Sequence, residues 1–141
     1  MLVRLLYASR AVPAVDAEEL HTLLRQCRTH NPKHGITGVL CHSDRAYLQV
    51  IEGGRDQVNR LYGKILRDTR HTDVVLLHYE EICERRYSGW TMGQTNLNKL
   101  NPGTLLRYSA TAEFDPHSLS GKSSLALIDE LMAAAAVLGR A

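Results

Sequence analysis

Residues 35–54 read Gly35-Ile36-Thr37-Gly38-Val39-Leu40-Cys41-His42-Ser43-Asp44-Arg45-Ala46-Tyr47-Leu48-Gln49-Val50-Ile51-Glu52-Gly53-Gly54, and the fold follows from how this stretch divides. Gly35 to His42 and Ala46 to Glu52 are rich in strand formers, and Ser43-Asp44-Arg45 between them has the length and chemistry of a hairpin loop. The runs Val39-Leu40-Cys41 and Leu48 to Ile51 do not alternate cleanly between apolar and polar. The hairpin is therefore expected to be covered on both faces.

Upstream, Val3 to Ser9 is a short apolar run bounded by the Pro13 region, which reads as a strand. Asp16 with Glu19 three positions on forms a capping-box pattern, and Leu20, Leu23, Leu24 and Cys27 follow at i, i+3, i+4 and i+7. Pro32 and Gly35 end that helix near His30-Asn31. Downstream of Gly53-Gly54, Val58, Leu61, Tyr62 and Ile65 recur at helical spacing through to Asp68. Asp73 to Ile82 predicts a fourth strand, and Trp90-Thr91-Met92-Gly93 a short fifth. The order βαββαββ predicts an α+β, ferredoxin-like sheet with two helices on one face.

The remaining chain is expected to cover the other face. Pro102 to Tyr108 can start a short helix, and Ser123 to Leu138 a longer one with Leu125, Ile128, Met132 and Ala135 on one side. Thr111 to Lys122, with Pro116 and Gly121, reads as a connecting loop, while the Ala133 to Ala136 run is a helix former. The expected division is residues 1–96 as the sheet domain and 97–141 as a C-terminal helical extension, packed on the sheet or at a subunit interface.

Composition narrows the function class. The 141 residues are 44% hydrophobic and 23% charged, the profile of one globular domain. Seventeen basic against 15 acidic residues, spread along the chain, argue against a nucleic-acid partner. Cys27, Cys41 and Cys83 lack CxxC spacing and read as reduced thiols. Met1-Leu2-Val3-Arg4 is not a charged leader before a long apolar run, and no run approaches the roughly 20 apolar residues of a membrane span. A soluble, cytoplasmic protein without membrane contact is expected.

Alternation puts Val3, Leu5 and Tyr7 on one face of the first strand, and Tyr47, Gln49 and Ile51 on one face of the third. Gln49 is the anomaly among apolar neighbours. A buried amide left unpaired costs about 1–3 kcal/mol, so it needs partners, which a tyrosine hydroxyl and a polar heterocycle could supply as well as the backbone could. His30-Asn31-Pro32-Lys33-His34 places an imidazole and a carboxamide where the chain leaves the first helix. Asn31 can grip an imide edge or act as an ordinary turn residue. His30 and His34 are separated by Pro32 and lack an evident third ligand, so no metal site is expected. Lys64, Arg67, Asp68, Arg70 and His71 form a mixed cluster that alone reads as a solvated helix end. Trp90 and Met92, two apart on an extended segment, are expected to share a face.

Taken together, the chain resembles the BLUF family of flavin-binding blue-light sensors. The resemblance runs through Leu6-Tyr7-Ala8-Ser9-Arg10, Asn31, Gly35-Ile36-Thr37-Gly38-Val39-Leu40, Tyr47-Leu48-Gln49-Val50-Ile51-Glu52-Gly53, Arg67-Asp68-Thr69-Arg70-His71 and Trp90-Thr91-Met92. In length and helical tail it is similar to the short stand-alone PixD type. The resemblance implies a non-covalent flavin, usually FAD with FMN as the alternative, held between the two helices with Tyr7 and Gln49 near its N5 and O4 edge. It implies that Asn31 binds the polar edge of the ring. His30, Ile36, Lys64, Ile65, Asp68, Arg70 and His71 would line the ring or its ribityl-phosphate side. Tyr7 would give an electron and a proton after excitation, Gln49 would rearrange its hydrogen bonds, and Trp90 or Met92 would relay the change to the tail. The family implies a red-shifted signalling state without substrate turnover, hence not an enzyme, together with a homo-oligomer and a response-regulator-like partner. The alternatives from other classes are an acylphosphatase-like or flavin-dependent enzyme on the same fold and a single-stranded RNA binder. Gly53-Gly54 is no phosphate-loop fingerprint, and the strands lack a recognisable base-stacking aromatic pair.

Overall fold

The computed structural model describes residues 1–12 and 16–134; Pro13, and the part of the expected last helix that includes Ala135, Ala136 and Leu138, lie outside the described residues. The strands are β1 (Leu2–Ala11), β2 (Thr37–His42), β3 (Ala46–Gly54), β4 (His71–Ile82) and β5 (Gly93–Asn96). The α-helices are α1 (Ala17–His30), α2 (Arg55–Arg67), α3 (Pro102–Leu106) and α4 (Gly121–Ala133). The sheet order is β4-β1-β3-β2-β5. β3 pairs antiparallel with both β1 and β2, and β1 pairs antiparallel with β4. β1 and β2 are thus parallel strands split by β3, and β3 and β4 are split by β1, which is the ferredoxin-like arrangement expected from the element order. β5 adds to the β2 edge in parallel.

The period-2 alternation sorts the strand residues into two cores. Val3, Leu5, Tyr7, Leu40, Tyr47 and Ile51 face α1 and α2, where Leu20, Leu24 and Val58 meet them. Leu6, Ala8, Val39, Cys41, Leu48 and Val50 face the opposite way, against Leu105, Leu125, Leu127, Ile128 and Leu131. The C-terminal segment therefore covers the second sheet face. No described helix is long and apolar enough to cross a membrane.

Four local expectations are adjusted. Asp16 caps α1 by accepting from the Glu18 backbone N–H (3.0 Å), one residue earlier than a capping box requires. The 111–122 connection contains a one-turn 3-10 helix at Pro116–Ser118 and yields its last two residues to α4, whose cap is Ser120. A Cβ at Gly121 would lie 2.6 Å from the Leu77 carbonyl oxygen, so the close seating of α4 on β4 requires glycine there. β5 begins only at Gly93, so Trp90 and Met92 precede the strand and do not share a face. Met92 is fully buried on the helix side, whereas Trp90 packs against the tail-side core. Without ladder pairing, the segment is free of the alternation that would have kept residues two apart together.

On the tail side of β3, Glu52 is 0% exposed. Its carboxylate accepts from Arg4 Nε (2.8 Å) and Nη2 (2.7 Å), from the Arg86 N–H (3.0 Å) and from the Tyr87 N–H (2.7 Å). Glu52 thereby pins the β4–β5 connection to the sheet. Backbones also approach closely at Gly38, where a Cβ would fall 2.1 Å from the Val50 carbonyl oxygen. Gly38→Ala is expected to destabilise the fold by about 1–3 kcal/mol, in the range of overpacked interiors. An unchanged urea midpoint would show that the strand yields without cost.

Candidate functional site

A cavity of about 240 Å³ lies between α1 and α2 above the helix-side sheet face. β1 contributes Tyr7, β2 Leu40, and β3 Tyr47 and Gln49; α1 contributes Leu23, Gln26, Cys27 and His30, with Asn31 just beyond its end. From the other side come Leu61, Lys64 and Ile65 of α2, then Asp68, Arg70 and His71. The walls formed by Leu23, Leu40, Leu61 and Ile65 are apolar, and the amides and charged groups sit around them. An adjoining cavity of about 210 Å³ shares His30, Asn31, Leu61 and Lys64, and adds His34, Ile36, Gln57 and Arg60. Apolar walls with a few convergent polar groups are the usual make-up of a small-molecule site. This set fits a flat heterocycle with a polar edge, and the cations at the second opening suit an anionic substituent.

At the floor, the Tyr7 hydroxyl donates to Gln49 Oε1 at 2.5 Å, and Gln49 Nε2 donates to the Met92 sulfur at 3.2 Å. The amide demanded partners, and these are two of them. Tyr7 is 4% exposed, and burial raises its phenol pKa far above the ordinary value, so it remains protonated and a donor at neutral pH. Its ring lies 5.9 Å from that of Tyr62 and 6.2 Å from that of His71, centroid to centroid. Asn31, 4% exposed, donates through Nδ2 to the Thr91 carbonyl (3.0 Å), which fixes its amide at the cavity wall. His71 Nε2 donates to the Ile65 carbonyl (2.5 Å), and Nδ1 lies 2.8 Å from the Ser9 hydroxyl, so its ring is held by both β1 and α2.

The Arg70 guanidinium grips Asp68 through Nε and Nη2, and this hydrogen bonding holds the carboxyl below its usual pKa. The pair gives the rim a fixed donor and acceptor. Burial pushes the Cys27 thiol up to about 11 despite nearby Arg70 and Arg28, so it lines the cavity as a neutral thiol. Among the described residues no group of His, Cys, Asp and Glu has the arrangement of a metal site.

Of the residues singled out in the sequence, Tyr7, His30, Asn31, Gln49, Lys64, Ile65, Asp68, Arg70 and His71 meet at the cavity between α1 and α2. Ile36 lines only the adjoining one, packed beside Gly53. Met92 stands behind Gln49, and Trp90 lies on the far side of the sheet. Leu23, Gln26, Cys27, Leu40, Tyr47 and Leu61 line the cavity without having been singled out as site residues. Tyr47 was within reach, because it shares the Gln49 face. Gln26 repeats three residues after Leu23 and four before His30, a helical stripe that would have placed it.

The family model described as sensors of blue light using FAD matches residues 2–93. Photoactivated adenylate cyclase subunit beta of Euglena gracilis is 37% identical over 92 residues, 64% of this chain but only 11% of that protein. The chain thus spans about a tenth of the length of the curated relative. The structure of BlsA in its photo-activated state superposes with a TM-score of 0.84 at 31% identity, covering 94% of this chain and 95% of that one. The dark-state structure of BlrB, a BLUF protein, gives 0.79 at 29% identity over 95% and 96%.

Proposed function

This chain belongs to the BLUF family of blue-light sensors using FAD, and from that premise we propose that its photochemical switch is the Tyr7–Gln49 pair, read out through Met92 and Trp90. The observation that carries the reading is the run of hydrogen bonds from the Tyr7 hydroxyl through the Gln49 amide to the Met92 sulfur along the cavity floor. Flavin, when bound, supplies the absorber and, once excited, the oxidising power. Tyr7 is the buried phenol that gives up the electron and the proton. Gln49 holds that proton's donor on one side and the linker on the other, so any rotation or tautomerisation of its amide must break or remake both bonds. Asn31 would bind the polar edge of the ring, while His30, Lys64, Ile65, Asp68, Arg70 and His71 would line the ring or its ribityl-phosphate side. Ile36, which shares the adjoining cavity with Lys64, would line the same side.

The sensor unit is residues 1–96 and the extension 97–141. The output is a population shift in contacts rather than turnover of a substrate. Its recipients are another copy of the chain and a response-regulator-like protein, in the cytoplasm, where three unpaired cysteines stay reduced. The test is the visible spectrum of the purified protein in darkness, under blue light and during recovery. A reversible red shift of flavin bands without bleaching supports the reading. A colourless protein that takes up no added flavin defeats it, and bound flavin without a shift would mean that the pair does not switch.

Met92→Ala removes the acceptor of Gln49 Nε2, a bond worth about 1 kcal/mol. The red shift is expected to survive, with its dark recovery rate changed about fivefold. Identical recovery in the variant would remove Met92 from the switch. Trp90, on the tail face, is expected to spare the spectrum and alter light-dependent capture of the partner.

A further inference from the structure

The connection between β4 and β5 is held at both ends and in the middle. Glu52 pins its start at the Arg86 and Tyr87 N–H groups. Its end carries Met92, bonded to Gln49. Between them, the Trp90 N–H donates to the Tyr87 carbonyl (3.1 Å), and the Trp90 carbonyl accepts from the Gly38 N–H (2.9 Å). The Tyr87 ring is 0% exposed in the core beneath α4. Its hydroxyl donates to Asp129 Oδ1 of α4 (3.2 Å), and Arg86 Nη1 donates to Asp129 Oδ2 (3.1 Å).

We propose that the Tyr87–Asp129 contact couples the flavin pocket to α4, so that a change in the Gln49–Met92 bond alters how firmly α4 is seated on the sheet. This rests on the Tyr7–Gln49 reading and adds the exit route. Only four residues separate the pinned Tyr87 from Met92. So short a strap, tied to β2 at Trp90, has little slack to absorb a displacement of Met92 before it reaches the Tyr87 turn. α4 is suited to respond, because the Tyr87 hydroxyl and the Arg86 guanidinium of the linker both meet it at one half-exposed carboxylate, Asp129. A modest change in those two contacts then moves the balance between a seated and a loosened helix. Asp129 acts here as a positioning residue, since it touches the pocket only through Tyr87 and the strap.

The experiment is hydrogen–deuterium exchange of the full flavin-loaded chain, in darkness and under blue light, with the spectrum recorded on the same samples. Light is expected to raise exchange in peptides covering 121–133 by about fivefold or more, the lower end of coupling between linked sites. Tyr87→Phe keeps the ring, and Asp129→Ala alters a half-exposed side chain. Both should retain the red shift and lose the light-minus-dark difference in α4. A purely structural role would raise dark exchange in both variants yet leave the light-induced factor intact, and that result overturns the proposal. A parent protein that shifts its spectrum without any change in α4 overturns it as well. A parent protein with no red shift defeats instead the photochemical reading beneath it.

Discussion

Replacing Tyr7 with phenylalanine is expected to leave flavin bound and to abolish the light-induced red shift. The ring of Tyr7 is one panel of a cavity whose other walls are largely apolar, and phenylalanine preserves that panel and its approach to Tyr62 and His71. What disappears is the hydroxyl, the donor to Gln49 Oε1 at 2.5 Å. On the proposed reading, the electron and proton donor goes with it. Gln49, 5% exposed, would also lose a partner, at a cost of about 1–3 kcal/mol unless the amide finds another. The variant should therefore be yellow, spectrally inert to blue light, and modestly less stable to urea. A red shift of parental size in Tyr7→Phe would assign the donor to another residue.

The largest loss of stability is expected from Glu52→Ala. That change leaves the Arg4 guanidinium, 4% exposed, without its buried carboxylate, and strips the Arg86 and Tyr87 N–H groups of their acceptor. Arg4 keeps Glu80 at the strand edge, which is only part compensation. Breaking a buried ion pair from one side costs about 3–5 kcal/mol, a large share of the roughly 5–15 kcal/mol that holds a domain together. Glu52→Gln retains an acceptor for the backbone and should lose less. Urea unfolding midpoints rank the two. A loss below about 1 kcal/mol for Glu52→Ala would mean that the clamp contributes little and that water readily replaces the carboxylate.

Much of this protein was determined by local pattern. Strand alternation alone placed Tyr7, Tyr47 and Gln49 on one face, because the side-chain period of an extended chain does not depend on what the strand meets. The imperfect alternation of β2 and β3 likewise required a second covered face, which Leu125, Ile128 and Leu131 of the tail supply. The framing motifs around Asn31, Gln49 and Asp68 carried the family, and with it most of the residues that line the cavity.

Only the tertiary structure decided who meets whom across the chain. Gln49 and Met92 are 43 residues apart, and Glu52 and Tyr87 are 35, so no local rule connects them. Glu52 read as one more strand residue until the sheet buried it beside Arg4 and the linker folded back onto it. Trp90 and Met92 were assigned to one face by a rule that holds within a strand. They lie just before β5, in backbone shaped by bonds to Gly38, Arg28 and Asn31, and so emerge on opposite sides of the sheet. Short-range periodicity determines which way a strand residue points, but the partner of a buried polar group is selected by satisfying every donor and acceptor in the folded chain at once.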